Sequence, residues 1–125
     1  MQVNFDNNHS YNQNFGNSRV TQKAVAHLKT RCMTSEDLDR FEKVIERFNK
    51  KGEFIEGSLD EVNGNLTASI FSSGRYSEDM TEGTLSRLFR SPIRFIEKWA
   101  KRADEVEAHL KNDVKLEKLI KKAEN

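Results

Sequence analysis

The sequence of 125 residues predicts an α+β fold in which helices cover one face of an antiparallel β-hairpin. Apolar side chains recur every three or four residues before residue 52 and after residue 84, which is typical of amphipathic helices. Between them, residues 53–73 alternate around Asn63-Gly64, a pair suited to a type I′ turn. Because two strands alone are marginally stable in water, the helices must cover the apolar face of the hairpin.

Composition and charge favour one folded domain. The chain is 35% hydrophobic, enough for one modest core but not for two, and its formal net charge of +1 argues against a surface dedicated to polyanions. We predict an irregular Asn-rich N-terminal arm (residues 1–17), a single α+β domain (18–111) and a C-terminal helical extension (112–125). Residues 3–5 of the arm could add a short third strand to the sheet.

Two helices are predicted before the hairpin. Ser18 is a suitable cap for a first helix that runs to about Arg31. Thr34 and Asp37 have the spacing of a capping box at the start of the second helix, and Gly52 suits its left-handed end. The apolar face of the second helix is formed by Leu38, Phe41, Ile45 and Phe48.

The hairpin has a definite predicted register. If Val62 faces Asn65 across the turn, one face of the hairpin becomes apolar. The pairs along that face are Glu61–Leu66, Leu59–Ala68, Gly57–Ile70 and Ile55–Ser72. We expect residues 73–83, which are polar and contain two glycines, to form a connection.

A two-faced helical segment follows this connection. Ser91-Pro92 predicts that residues 84–90 form a short helix and that a long helix begins at Pro92, reaches at least Leu110, and breaks or restarts near Asn112-Asp113. All large apolar residues except Ile93 fall on one side of a single helical wheel. That side comprises Leu85, Leu88, Phe89, Phe95, Ile96, Trp99, Ala103, Val106 and Leu110, and we expect Trp99 to lie in the core.

Six cations form the candidate binding surface: Arg87, Arg90, Arg94, Lys98, Lys101 and Arg102. Against Glu97 they give residues 84–102 a net charge of +5. Residues 35–62 hold nine acids and five bases, a net charge of −4, so the two segments are expected to attract each other. The cations could instead face solvent, an acidic protein, the phosphates of a nucleic acid or a membrane surface.

Residues suited to catalysis or metal binding are few. His9, His27 and His109 lack the spacing of a helical metal site, and Cys32, the only cysteine, is expected to pack at a helix edge. We therefore predict no enzyme activity, no cofactor and no bound metal. A single cysteine also excludes an intrachain disulfide and favours a reducing compartment, so we expect a cytoplasmic location.

The predicted function is that of a small non-enzymatic protein-binding or adaptor module. Its partner is an unidentified protein or a second copy of the chain, bound by the long helix or the open edge of the hairpin. The alternative is nucleic-acid binding through the basic face of residues 87–102. No apolar run is long enough to predict a membrane span.

Overall fold

The computed structural model describes residues 12–15 and 18–124, and it confirms the α+β class. One five-stranded sheet has the order β1-β2-β3-β4-β5. The strands are β1 (Asn12–Phe15), β2 (Ser18–Thr21), β3 (Glu56–Val62), β4 (Asn65–Ser72) and β5 (Tyr76–Thr81). The helices are α1 (Gln22–Lys29), α2 (Ser35–Lys50), α3 (Thr84–Phe89) and α4 (Ile93–Glu124), with a 3₁₀ turn at Gly52–Phe54.

The central hairpin has the predicted register. Val62 pairs with Asn65, and the antiparallel ladder continues to Glu56 and Phe71, one residue short of the predicted Ile55–Ser72 pair. Asn63 and Gly64 both have positive φ, 53° and 85°, as a type I′ turn requires. Both edges of the hairpin are nevertheless occupied, because β2 pairs with β3 in parallel and β5 pairs with β4. The predicted open edge of the hairpin is therefore wrong.

The N-terminal part of the sheet was not predicted. Ser18 lies in β2 with Val20, and both are buried, so Ser18 does not cap a helix. Thr21 caps α1 instead, accepting a hydrogen bond from the backbone N–H of Ala24 at 3.2 Å. β1 lies within the arm predicted to be irregular, and the short strand proposed at residues 3–5 falls outside the described residues.

β5 lies in the segment predicted to be a polar connection. Its side chains alternate between half-buried and exposed, beginning with half-buried Tyr76. The inward positions include Glu78, whose charge is paired with Arg102 of α4 at 2.9 Å. Because one inward position holds a carboxylate, apolar and polar residues do not alternate clearly in this part of the sequence. The prediction of a polar connection was wrong for this reason.

The second helix begins and ends as predicted. Thr34 and Asp37 form both hydrogen bonds of the capping box, and Gly52 has a φ of 65° just beyond the helix. Its buried side chains are Val44 and Phe48, whereas Leu38, predicted to cover the sheet, is 53% exposed. α2 is therefore rotated relative to the predicted face, with the Val44 side towards the core.

Trp99 lies at the centre of the core, as predicted. It is fully buried, its ring centroid lies 4.5 Å from that of Phe48, and its Nε1–H donates to the carbonyl of Ser69 at 3.0 Å. Both rings occupy the space beside Gly57, where an added Cβ would come within 2.6 Å of each. The other large, fully buried side chains are Ile55, Leu59, Leu66, Ile70, Ile93, Ile96, Val20, Val44 and Pro92.

α4 is one continuous helix of 32 residues, so the predicted break at Asn112-Asp113 is wrong. The predicted break at Ser91-Pro92 is confirmed, and the Ser91 hydroxyl accepts a hydrogen bond from the N–H of Ile93 at 3.3 Å. α4 contributes buried side chains only as far as Leu110, and the remainder is largely exposed. No helix in the described part of the chain combines the length and apolar character needed to cross a bilayer.

Candidate protein-binding surface around α3

α3 presents its apolar side to solvent. Leu85, Leu88 and Phe89 are 74%, 60% and 77% exposed, whereas Ser86 and Arg87 are half-buried. At about 100° per residue the three apolar side chains span roughly 100° of the helix, on the side opposite Arg87. They were predicted to join the apolar face that continues into α4, and this prediction was wrong. Since Ser91-Pro92 separates two helices with independent axes, one wheel could not describe both.

A buried ion pair lies beneath the polar side of α3. The Glu82 side chain is fully buried, and its two oxygens accept hydrogen bonds from the Arg31 guanidinium at 2.8 and 3.0 Å. The Ser86 hydroxyl of α3 donates to the same carboxylate at 2.6 Å. A bidentate, charge-assisted pair of this kind fixes the position of both groups. It therefore joins the end of α1 to the start of α3.

The same guanidinium also satisfies the C-terminal end of α3. One Nη of Arg31 donates to the carbonyl of Arg90 at 2.9 Å, just beyond the last turn of α3, where carbonyls lack partners within the helix. It also lies 3.4 Å from the carbonyl of Ser86, which already accepts a hydrogen bond from the backbone N–H of Arg90. On the far side, the Arg87 guanidinium reaches the carbonyl of Gly64 in the hairpin turn at 3.4 Å. α3 is thus held by polar contacts, which leaves its apolar side uncovered.

Two titrating groups in this network have shifted pKa values. Burial alone raises the pKa of the Glu82 carboxyl, but hydrogen bonds from Arg31 and Ser86 oppose burial, and the resulting pKa lies below its usual value. Burial and the nearby Arg31 charge lower the pKa of His27. His27 Nε2 lies 3.0 Å from Arg31 Nη1, which can only donate, so the ring is neutral and accepts there. The network therefore contains a deprotonated Glu82 and a neutral His27.

Stability should decrease as the pH falls through the titration of His27. Its folded-state pKa lies below the unfolded value of about 6.5, so the unfolded chain binds more protons between the two values. The expected result is a lower urea midpoint at about pH 5.5 than at about pH 7.5, with a smaller difference in a His27→Gln variant. Equal pH dependence in both proteins would show that His27 does not cause it.

A basic cleft adjoins α3. Its volume is about 360 Å³, and it lies where β5, α3 and the first turns of α4 meet. The cleft is lined by Met80, Thr81, Glu82, Gly83, Ser86, Arg90, Arg94, Phe95 and Lys98. The side chains of Arg90, Arg94 and Lys98 are exposed and form no ion pair within the described residues. Lys101, one further turn along the same side of α4, is also exposed and unpaired there.

The other two predicted cations have structural partners. Arg102 donates to both oxygens of Glu78, each at 2.9 Å, and to the Tyr76 hydroxyl at 3.3 Å. The hydrogen bond from Arg102 lowers the pKa of the Glu78 carboxyl. Arg87 contacts the hairpin turn, as described above. The structure thus brings Arg90, Arg94 and Lys98 together at the cleft, and Lys101 lies one turn beyond them. Arg87 and Arg102 instead form hydrogen bonds that stabilise the fold.

Among the described residues, no ion pair joins an acid of residues 35–62 to a cation of residues 84–102, and the pairs between α2 and α4 have the opposite sense. α2 contributes the bases and α4 the acids: Arg40 binds Glu97, while Arg47 and Lys51, just after the helix, both bind Asp104. The acids of α2 do not neutralise the cations of α4. This arrangement leaves the basic row of α4 available on another side of the helix.

The remaining candidates are Cys32, His109 and His9. Cys32 is exposed with a φ of 52°, just beyond α1, so its predicted packing at a helix edge is wrong. His109 is exposed and pairs with Asp113 on α4, and His9 lies outside the described residues. Within residues 12–15 and 18–124, no three His, Cys, Asp or Glu side chains are placed to hold a metal ion.

Fold and surface together define a small α+β protein with an apolar helix face exposed beside a basic cleft. Neither a protein-family model, nor a curated protein, nor a solved structure matches this chain.

Proposed function

We propose that this chain is a non-enzymatic protein-binding module whose contact surface is the apolar side of α3. The observation that carries the proposal is the exposure of Leu85, Leu88 and Phe89 together on a helix held by its polar side. Single exposed apolar residues are common, but adjacent large ones on an otherwise polar surface mark interaction sites. Phe89 has the size and rigidity of an interface anchor.

The charges beside α3 indicate an acidic partner. Arg90, Arg94 and Lys98 line the cleft that adjoins α3 and have no acidic partner among the described residues. A protein segment with apolar side chains for α3 and carboxylates or other anions for these cations would complement both features. We place this interaction in a reducing compartment such as the cytoplasm, since Cys32 is exposed and is the only cysteine.

The experiment is quantitative affinity capture from the cells that encode the protein, with and without nuclease. The test variant is Leu85→Ser/Phe89→Ser, and the control is Leu38→Ser, which removes an exposed leucine from α2. Proteins lost with the α3 variant, but kept with the control and after nuclease, support the proposal. An unchanged set of captured proteins with the α3 variant would overturn it.

The α3 variant should fold normally. Because Phe89 is 77% exposed and Leu85 is 74% exposed, replacing each by serine should change the free energy of unfolding by about 0.5 kcal/mol or less. Urea unfolding followed by circular dichroism measures this change. A loss of about 3 kcal/mol or more, as for a buried phenylalanine, would show that α3 packs by its apolar side.

Nucleic-acid binding is the second candidate function. Its support is the row of four cations without ion-pair partners in the described chain: Arg90, Arg94, Lys98 and Lys101. Such a row can release counterions from phosphates, and the resulting binding weakens steeply with salt. The nuclease arm of the capture experiment separates it from the first proposal. Loss of all captured material on nuclease treatment would favour the nucleic-acid function.

A further inference from the structure

We infer that the basic cleft binds a phosphomonoester group carried by the protein partner. The inference rests on the proposed function, because it specifies which acidic group of the partner lies beside α3. Its basis is the convergence of Arg90, Arg94 and Lys98 on one cleft of about 360 Å³. A cleft of this size can hold a phosphate together with part of the side chain that carries it.

The charge balance of the cleft favours a dianion. Among the described residues that line the cleft, Glu82 is the one acid, and it is already neutralised by the bidentate hydrogen bonds from Arg31. Three positive charges therefore remain without counter-charge from the lining residues. A carboxylate supplies about one negative charge, whereas a phosphomonoester supplies about 1.5 to 2 at neutral pH and three acceptor oxygens. Two arginines can each bind such oxygens with two parallel N–H groups.

Hydrogen bonds within the protein hold the backbone of two residues that line the cleft, Glu82 and Arg90. Arg31 is bonded to Glu82 and also to the carbonyl of Arg90, so the backbone that presents the Arg90 side chain is held in place. The N–H of Glu82 is likewise bonded to the carbonyl of Leu66 at 2.8 Å. Preorganised groups lose less conformational entropy when they bind an anion, which favours a specific site.

The distribution of charge favours a phosphorylated protein over a nucleic acid. The basic row is short, because Arg102, one residue after Lys101, is neutralised by Glu78 and Glu105. A nucleic acid presents a repeating row of phosphates and gains affinity from many separated contacts. A nucleic acid bound to the cations would also leave the apolar side chains of Leu85 and Phe89 exposed to solvent. A protein partner that places one phosphate in the cleft and apolar side chains on α3 uses both parts of the surface.

The test is an NMR titration of the whole protein with O-phospho-L-serine and with inorganic phosphate, at constant ionic strength of about 150 mM. We expect saturable shifts centred on Gly83, Arg94 and Lys98. The variant Arg94→Gln/Lys98→Gln should raise the dissociation constant at least tenfold. The matched control, Lys43→Gln/Lys50→Gln, removes two exposed lysines from α2 and should leave it unchanged.

Several outcomes would overturn the inference: shifts that do not saturate, equal binding by the cleft variant, or binding of inorganic phosphate with exclusion of phosphoserine. Tighter binding of a single-stranded oligonucleotide than of phosphoserine at the same salt would assign the cleft to nucleic acid. The Leu85→Ser/Phe89→Ser variant should bind phosphoserine normally. Failure of the protein-binding proposal is therefore distinguishable from failure of the phosphate site.

Discussion

Replacement of Arg31 by alanine should lower the free energy of unfolding by about 3–5 kcal/mol. The Glu82 side chain is fully buried, and that of Arg31 is 9% exposed. Without the guanidinium, the carboxylate keeps one hydrogen bond from Ser86, and its charge has no counter-charge in the network. The carbonyl of Arg90, at the end of α3, also loses its hydrogen bond from Arg31. Urea unfolding, followed by circular dichroism, measures the change.

Two further variants distinguish the effect of breaking the buried pair on stability from the effect of removing any arginine. Arg47→Ala removes an arginine from a pair in which both side chains are about 40% exposed, at 40% and 43%, so its expected cost is about 1 kcal/mol or less. The double variant Arg31→Met/Glu82→Gln leaves no unpaired buried charge, and we expect it to be more stable than Arg31→Ala. A loss for Arg31→Ala no larger than for Arg47→Ala would contradict the role assigned to the pair.

The Arg31 variant also tests how α3 is attached. Arg31 reaches Glu82 and Ser86 from the end of α1, and few apolar contacts hold α3 to the sheet. Hydrogen exchange in α3 should therefore accelerate more than exchange in β3 and β4 at low denaturant. Uniform acceleration across the protein would indicate global destabilisation without local release of α3.

The parts of the fold that were predicted correctly depend on neighbouring residues. The turn at Asn63-Gly64 needs two positive φ angles, which few residue pairs supply, and its position fixes the hairpin register. Thr34 and Asp37 likewise determine the start of α2 through hydrogen bonds three residues apart. In both cases, all the residues that determine the local structure lie within a few positions of one another. Such signals can therefore be interpreted without knowledge of the fold.

The site could not be predicted in the same way, because its contacts join distant residues. Arg31 and Glu82 are 51 residues apart, and neither lies in a motif that indicates a buried ion pair. When the pair is not known, Leu85 and Phe89 have the pattern of ordinary core residues on an amphipathic helix. The break at Ser91-Pro92 was the one available sign that they need not share the face of α4.

The cations show the same limit. All six had the same appearance in the sequence, and only the positions of their neighbours distinguish them. Arg102 is tied to β5 through Glu78, whereas Arg94 and Lys98 face an open cleft. Since β5 was predicted to be a connection, the pairing of Arg102 with Glu78 could not be anticipated. A charge pattern gives the sign of a surface, but the fold decides which charges remain available for binding.

Replacement of Trp99 by alanine should cost about 3–5 kcal/mol, the range expected for a large buried aromatic. The indole fills the space between Phe48 and the backbone of Gly57, which has no side chain to move into the cavity. The carbonyl of Ser69 also loses the hydrogen bond from Nε1. Because Trp99 is the only tryptophan, unfolding has to be followed by circular dichroism rather than by fluorescence.

Trp99→Phe is the matched control, since it keeps an aromatic ring beside Phe48 but removes the N–H donor. We expect it to cost about 1–3 kcal/mol, from the lost hydrogen bond and a cavity smaller than that of Trp99→Ala. A cost for Trp99→Ala close to that of Trp99→Phe would place most of the stabilisation in the hydrogen bond. The expected larger cost would place it in the packing of the ring against Gly57, which lets α4 approach the sheet closely at this point.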